Sequence, residues 1–192
     1  MRGRIPASSS YDNDDDDDDD DPPPPYSSYD QGAVDSSGAS EDGELPALGL
    51  INGRYDMTSS VSEQWSCYGS DFDLVLTLAG DHLWARFDFA VARGIMYFTK
   101  RPLFSSREPL SFRWRGVIDQ DGVQWGDRHH GWIKFLGGGR IKGEIDFMGV
   151  TFEGRRMSGQ GTRSEVDARS MESEWNGYTQ AEYDRQNRAR WR

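Results

Sequence analysis

The alternation of apolar and polar residues between positions 71 and 89 is the feature that most constrains how this chain can fold. From 71 to 78 every second residue is Phe or Leu, and from 82 to 89 every second residue is again apolar. Gly80-Asp81 separates the two runs, and such a pair is typical of a two-residue hairpin turn. Because alternate side chains of a strand point to opposite faces, this region predicts an antiparallel hairpin with one buried face.

Short runs of the same kind recur along the chain, which gives eight or nine predicted strands. They cover residues 54–58, 71–78, 82–89, 95–98, 110–117, 123–126, 133–135, 141–147 and 151–156. Tight local turns favour an up-and-down meander, and closing the sheet removes its exposed edges. Gly116, Gly143 and Gly154 lie inside predicted strands, where glycines suit the bends of a small barrel. We therefore predict a mainly β fold, an antiparallel up-and-down barrel. A β-sandwich is the alternative, but only 59–70 and 99–109 are long enough for its crossovers.

The charge of the chain is divided unevenly between its parts. The sequence has a net charge of -11, but residues 1–48 alone sum to -12 and the other 144 residues to +1. The acidic segment includes eight consecutive aspartates, Asp14 to Asp21, followed by four prolines. A segment of this composition has little to bury, so we expect residues 1–48 to form a disordered, solvated tail. The near-neutral remainder argues against binding to nucleic acid through phosphate neutralisation.

The remaining sequence divides into two further regions. Residues 49–163 form the predicted barrel domain, and residues 164–192 lose the alternation and are predicted to be helical. Ser164 with Asp167, and Thr179 with Glu182, have the spacing of a capping box, and Gly177 separates the two segments. We expect these C-terminal helices to pack on or beside the barrel.

Indications of cellular compartment are few. Cys67 is the single cysteine, so the fold needs no internal disulfide. The N-terminus has no apolar run typical of a signal peptide, and no stretch approaches the length of a membrane span. We expect an intracellular protein, cytoplasmic or nuclear, with no membrane partner.

Two resemblances to known families are carried by short motifs. Gly53-Arg54-Tyr55 at the first strand and Arg155-Arg156 near the last one resemble the signature of the calycins, the lipocalins and their relatives. The series 112–116, 131–137, 140–143 and 152–155, continued by 174–178 and 188–191, is similar to uncharacterised proteins of filamentous fungi. The second resemblance covers about residues 50–192. The calycin resemblance implies a barrel with loops at its mouth, whereas the fungal one carries no assigned activity.

The most distinctive short motif lies in the acidic segment. Pro23, Pro24, Pro25 and Tyr26 resemble the Pro-Pro-x-Tyr ligand of WW domains. A proline run is already extended, so docking it costs little conformational entropy. The resemblance implies a WW-domain partner, and a compositional accident within a proline-rich spacer is the alternative.

Residues that could carry chemistry are few. His129 and His130, with Asp127 nearby, are the one group of residues suited to metal or acid–base chemistry. Adjacent residues of a strand face opposite ways, however, and metal sites usually need three side chains. We therefore predict no metal and no cofactor. An eight-stranded barrel is either filled or holds one small ligand, and the sequence leaves both open. If a ligand binds, the candidate residues are Arg113, Trp114, Arg115, Trp125, His129, His130 and Trp132.

The function that these features favour is binding without catalysis. We predict an adaptor whose barrel contacts a small ligand or a protein and whose N-terminal segment recruits a WW-domain partner. The alternative is an enzyme with an acid–base site at the barrel mouth, served by His129 or His130. A filled apolar interior would leave only the outer surfaces for either role.

Overall fold

The computed structural model describes residues 43–190. Residues 1–42, with the aspartate run and the Pro23–Tyr26 motif, lie outside the described residues, as do Trp191 and Arg192. The described strands are β1 (Gly53–Ser59), β2 (Asp73–Ala79), β3 (His82–Asp88), β4 (Ala92–Phe98), β5 (Leu110–Ile118), β6 (Gly122–Gln124), β7 (His130–Gly137), β8 (Arg140–Ile145) and β9 (Val150–Arg156). Three α-helices accompany them, α1 (Val61–Gln64), α2 (Ala168–Gly177) and α3 (Gln180–Arg190), and a short 3-10 helix covers Ser66–Tyr68.

The strands form a closed antiparallel barrel, which confirms the predicted fold. Each strand from β1 to β5 pairs with the next, β5 pairs with β7, β7 to β9 follow in order, and β9 returns to β1. The extra strand β6 pairs only with the end of β5, residues Gly116 to Ile118. Strands β6 and β7 therefore pair with different parts of the same edge of β5. Residues 125–129, which connect them, make no strand pairing. The meander excludes the sandwich, which requires crossover connections.

The interior of the barrel is a packed apolar core. All eight closing strands contribute buried side chains to a single hydrophobic cluster, and Trp114, Leu76, Phe98 and Ile133 are among its fully buried members. Aromatic rings make much of the contact, since Phe87 meets the Trp114 ring edge-on at 5.7 Å between centroids. Of the two interiors that the sequence left open, the structure has the filled one.

Glycine permits the close approach of β4 and β5. Gly94 lies opposite Gly116 in the register of these strands. A Cβ on Gly116 would overlap the carbonyl oxygen of Arg93, and one on Gly94 would overlap that of Arg115. The predicted bend at Gly116 is thus a point where two backbones touch, which only glycine allows.

One end of the barrel is covered by residues 43–52 and by the loop 99–109. Gly138 donates its backbone N–H to the carbonyl of Ala47 at 2.9 Å, and Asn52 accepts a bond from the backbone N–H of Leu78 at 2.8 Å. The ordered contacts thus begin before residue 49, the predicted start of the barrel domain.

The C-terminal helices lie against the outside of the barrel. Helix α2 buries Met171 and Trp175 against Val75, Trp84 and Ile95, which form a second hydrophobic cluster with them. Its N-cap is Asp167, whose carboxylate accepts the Ser170 N–H at 2.8 Å, so the helix begins later than the predicted start at Ser164. Helix α3 begins at the predicted cap, where Thr179 accepts the Glu182 N–H at 3.2 Å.

Helix α3 lies next to β6. Arg190 donates to the carbonyl of Gln120 at 2.8 Å, and Tyr183 and Asn187 are half-buried. Among residues 43–190, no helix combines the length and the apolar character needed to cross a membrane.

Candidate functional site

A row of large polar and aromatic side chains crosses the outer face of β3, β4 and β5. Trp84 lies directly opposite Tyr97, and Tyr97 lies directly opposite Arg113. Arg115 is two residues farther along β5, opposite Ile95. Directly opposed residues on one face of an antiparallel sheet are in contact range, so the meander brings these side chains together.

Helix α2 converts this face into a pocket. The helix stands beside the row of side chains, and residues 125–129 rise on the opposite side, enclosing a volume of about 540 Å³. We call this the arginine pocket. Its lining consists of Ala79, His82, Trp84, Tyr97, Arg113, Arg115, Asp127, Ala168, Arg169, Glu172, Trp175 and Asn176. Its three arginines and two carboxylates leave the lining with one excess positive charge.

Two guanidinium groups in this pocket are held against aromatic rings. Arg115 lies over the Trp175 ring, with its Cζ 4.4 Å from the ring centroid, and Arg113 lies 5.9 Å from the Tyr97 centroid. Trp84, Tyr97 and Trp175 also pack on one another, with centroid separations of 4.6 to 6.0 Å. The rings thus orient the guanidinium groups and are themselves mostly covered.

One carboxylate bridges the two arginines. Asp127 forms an ion pair with Arg113, whose Nη1 lies 2.9 Å from its carboxylate, and accepts a hydrogen bond from Arg115 Nη2 at 3.1 Å. Arg115 Nε also donates to the carbonyl of Gly126 at 3.0 Å. The hydrogen bond from Arg115, together with the charges of both arginines, lowers the pKa of Asp127. The Asp127 side chain is 54% exposed, so this bridge lies at the mouth of the pocket.

The edge of the pocket nearest the loop 99–109 is formed by His82. Its Nδ1 lies 3.1 Å from the carbonyl of Thr99 and 3.2 Å from the Tyr97 hydroxyl. Its ring also packs on Tyr97 at 5.6 Å between centroids. These contacts fix the Tyr97 ring from the side opposite Arg113.

His129, the last residue of the segment 125–129, belongs to a different cluster, with Trp114, Gln124 and Asp146. Its ring packs on Trp114 at 4.7 Å between centroids, its Nε2 lies 3.1 Å from the Gln124 amide oxygen, and its Nδ1 lies 3.9 Å from Asp146. Asp146 also accepts from Trp114 Nε1 at 2.9 Å and from the His130 backbone N–H at 2.8 Å. Burial lowers the pKa of His129, although the nearby Asp146 opposes this effect.

Only two of the seven predicted ligand residues line the arginine pocket. Arg113 and Arg115 line the arginine pocket, whereas Trp114 between them faces inward and is fully buried. His129 packs on Trp114, and the side chain of His130 is exposed. Trp125 and Trp132 lie apart on the outer surface, beside Arg128 and Lys134 respectively.

Several pocket residues were missed by the sequence analysis. Trp84 and Tyr97 carry a weak signal, because each is an aromatic residue on the outward face of a strand with polar neighbours. Arg169, Glu172 and Trp175 lie on α2, and no local pattern indicates which strands that helix covers. Within residues 43–190, no group of three His, Cys, Asp or Glu side chains is arranged to hold a metal ion.

Comparisons with known proteins add no assignment. The sequence matches no known protein family and no curated protein, and the fold matches no solved structure. The resemblances to calycins and to the fungal proteins therefore stay predictions.

Proposed function

We propose that the protein is a non-catalytic binding module whose arginine pocket receives a ligand bearing a carboxylate or phosphate group. The observation that carries this proposal is the pair Arg113 and Arg115, each placed over an aromatic ring and both ion-paired with one carboxylate. Guanidinium groups that are already oriented lose little conformational entropy when they bind an anion. The packed apolar interior of the barrel leaves the outer surface as the place for a ligand.

An anion suits this pocket better than a neutral ring or sugar. Stacking ligands need exposed aromatic faces, but Trp84 and Trp175 are only 9% and 8% exposed. The side chains of Arg113 and Arg115 are more accessible, at 36% and 20% exposure, and guanidinium N–H donors match carboxylate and phosphate oxygens. The excess positive charge of the lining favours the same class of ligand.

Asp127 acts in this proposal as an internal competitor for the ligand. Its carboxylate already makes the contacts with Arg113 and Arg115 that a ligand anion would make. It belongs to the segment 125–129, which lies outside the β-ladder, so it can be displaced without breaking strand pairing. Removal of its negative charge is therefore expected to strengthen binding.

The N-terminal motif adds the second half of the adaptor role. The motif Pro23 to Tyr26 is proposed to bind a WW-domain protein. The full chain would then link this protein to the ligand bound in the arginine pocket. Tyr26→Ala in the full chain is expected to abolish capture on an array of WW domains. Absence of binding by the wild-type chain would reject this half and leave the pocket proposal unaffected.

The geometry of the histidines gives less support to the enzyme alternative. Both ring nitrogens of His129 face protein groups, Gln124 and Asp146, and its ring is packed on Trp114. This environment is typical of a structural histidine that holds residues 125–129 against the barrel.

Titration of the full chain with phenyl phosphate and benzoate, followed by calorimetry, tests the pocket. We expect saturable binding of at least one anion, which Arg113→Met weakens by about tenfold or more because it removes a charge-assisted hydrogen bond. Asp127→Asn is expected to tighten binding severalfold, an effect that a partly unfolded variant would not produce. The ratio of the wild-type affinities for phenyl phosphate and benzoate identifies whether phosphate or carboxylate is preferred.

The matched control is Arg140→Met, which removes an exposed arginine outside the pocket and should leave both affinities unchanged. Benzyl alcohol serves as the neutral probe. Equal binding of benzyl alcohol, undiminished binding by Arg113→Met, or no saturable binding of either anion would contradict the proposal.

A further inference from the structure

The loop 99–109 presents two adjacent apolar side chains to solvent. Leu103 is 73% exposed and Phe104 is 71% exposed, and Leu50 beside them is 51% exposed. Exposed apolar residues are ordinary when they are scattered, but a contiguous group on a small protein is typical of an interaction site. We call Leu50, Leu103 and Phe104 the apolar patch.

This exposure occurs on a loop that is firmly held. The backbone N–H of Arg101 bonds to Asp81 at 2.8 Å, and that of Ser106 bonds to Phe135 at 2.7 Å. The Ser105 hydroxyl donates to the carbonyl of Pro46 at 2.5 Å, and Arg107 donates to that of Gly43 at 2.6 Å. Because both ends of the loop are fixed, its apolar tip is presented in a preorganised form that would lose little entropy on binding.

The surface around the tip is grooved. A depression of about 320 Å³, lined mostly by apolar side chains, lies between residues 100–110 and Phe135. A second depression of about 370 Å³ adjoins it, between residues 48–52, Leu78 and residues 101–103. Pro102 and Leu103 line both, so they form a ridge with a groove on either side. A ridge between two grooves fits the side chains of a bound peptide better than the flat surface of a bilayer.

Positively charged side chains lie around the ridge and its two grooves. Lys100, Arg101 and Arg107 are all exposed, and within residues 43–190 none of them forms an ion pair with a carboxylate. The carboxylate nearest to them in sequence is Glu108, which lines the first groove. Exposed cations of this kind complement acidic groups of a partner.

From the apolar patch, the two grooves and the three cations, we infer that this end of the barrel binds a peptide segment of a partner protein that combines apolar anchors with acidic residues. The anchors would enter the grooves on either side of Leu103, and the acidic residues would meet Lys100, Arg101 and Arg107. This surface is separate from the arginine pocket, so the inference does not depend on the proposed anion ligand.

Selection of displayed random peptides of about twelve residues on the full chain tests the inference. We expect wild-type protein to enrich sequences with acidic residues next to Leu, Phe or Trp. An enriched peptide, labelled for anisotropy, should bind the double variant Leu103→Ser/Phe104→Ser at least tenfold more weakly. Lys100→Ser/Arg101→Ser should also weaken binding and reduce its dependence on salt concentration.

Two control variants separate this surface from others. Met148→Ser removes an apolar side chain that is 63% exposed in the turn between β8 and β9, and it should leave peptide binding unchanged. Arg113→Met should also leave it unchanged, whereas binding lost in that variant would place the peptide in the arginine pocket and overturn the inference.

Other outcomes would overturn the inference as well. Enrichment of basic peptides, or no enrichment above the double variant, would reject the acidic partner. Binding to vesicles containing phosphatidylserine that is lost with Leu103 and Phe104 would assign the patch to a membrane. Concentration-dependent self-association lost in the same variant would assign it to a second copy of the chain.

Discussion

The two faces of strands β3 to β5 are built from alternate residues of the same strands, yet their side chains have different roles. The inward face contributes Phe87, Met96 and Trp114 to a core that contains side chains from all eight closing strands. The outward face contributes Trp84, Tyr97 and Arg113 to a pocket that is completed by one helix and one irregular segment. The inner contacts therefore stabilise the whole barrel, whereas the outer contacts hold only α2 and residues 125–129.

The largest effect in this comparison is expected from the inner face. Trp114→Ala removes a fully buried ring and leaves Asp146 without the Nε1 hydrogen bond, so it should lower the free energy of unfolding by about 3–5 kcal/mol. Denaturant unfolding of the full chain measures this. Trp132→Ala, on the outer face of β7, is the matched control and should cost about 1 kcal/mol or less. Equal losses for the two variants would remove the distinction between the faces.

A smaller and more local effect is expected from the outer face. Trp175→Ala should lower stability by about 1–3 kcal/mol, since it removes the largest side chain that attaches α2 to the barrel. Hydrogen exchange should then show lost protection in residues 168–177, while the amides of β3 and β4 keep theirs. Uniform loss of protection across the barrel would show that α2 and the strands form one cooperative unit.

The smallest effect concerns the carboxylate at the mouth of the pocket. The pKa of Asp127 is lower in the folded protein than in the unfolded chain, so its ion pairs stabilise the fold above the ordinary aspartate range and lose this effect only as pH falls through the lowered value. Because the side chain is largely exposed, Asp127→Asn should reduce stability at pH 7 by about 0.5 kcal/mol or less. The difference between wild type and variant should vanish in acid, as followed by denaturation across the pH range. A difference that grows in acid would contradict the lowered pKa.

Much of the fold follows from local sequence. Each of the nine strands overlaps a predicted run, because a period of two and a glycine-containing turn act over a few residues. The bounds differ in places: β4 begins three residues before the predicted 95–98, and β6 ends at Gln124 although 123–126 was predicted. The predicted ligand set nevertheless combined Arg113, Trp114 and Arg115, whereas the structure buries Trp114 in the core, on the face opposite the two arginines. The late start of α2 was less predictable, since Ser164 and Asp167 are both suitable N-cap residues. The structure favours Asp167, because the Thr77 hydroxyl donates to the carbonyl of Val166 at 2.7 Å and so holds the residue before it against β2.

The candidate site was less accessible to sequence analysis. Arg113 and Arg115 were found because they lie in a conspicuous aromatic segment, but their partners come from other strands and from a helix more than 50 residues away. Whether the interior is hollow or filled likewise depends on the summed volumes of side chains from eight strands.

By itself, the sequence determined the strands, the two faces of each, the meander and the separation of acidic from near-neutral regions, because these depend on neighbouring residues and on composition. Only the tertiary structure decided that Trp84, Tyr97 and Arg113 share one row, that α2 encloses it, and that Leu103 and Phe104 stay exposed. Cross-strand register and helix docking arise from contacts between distant parts of the chain, and no local pattern encodes them.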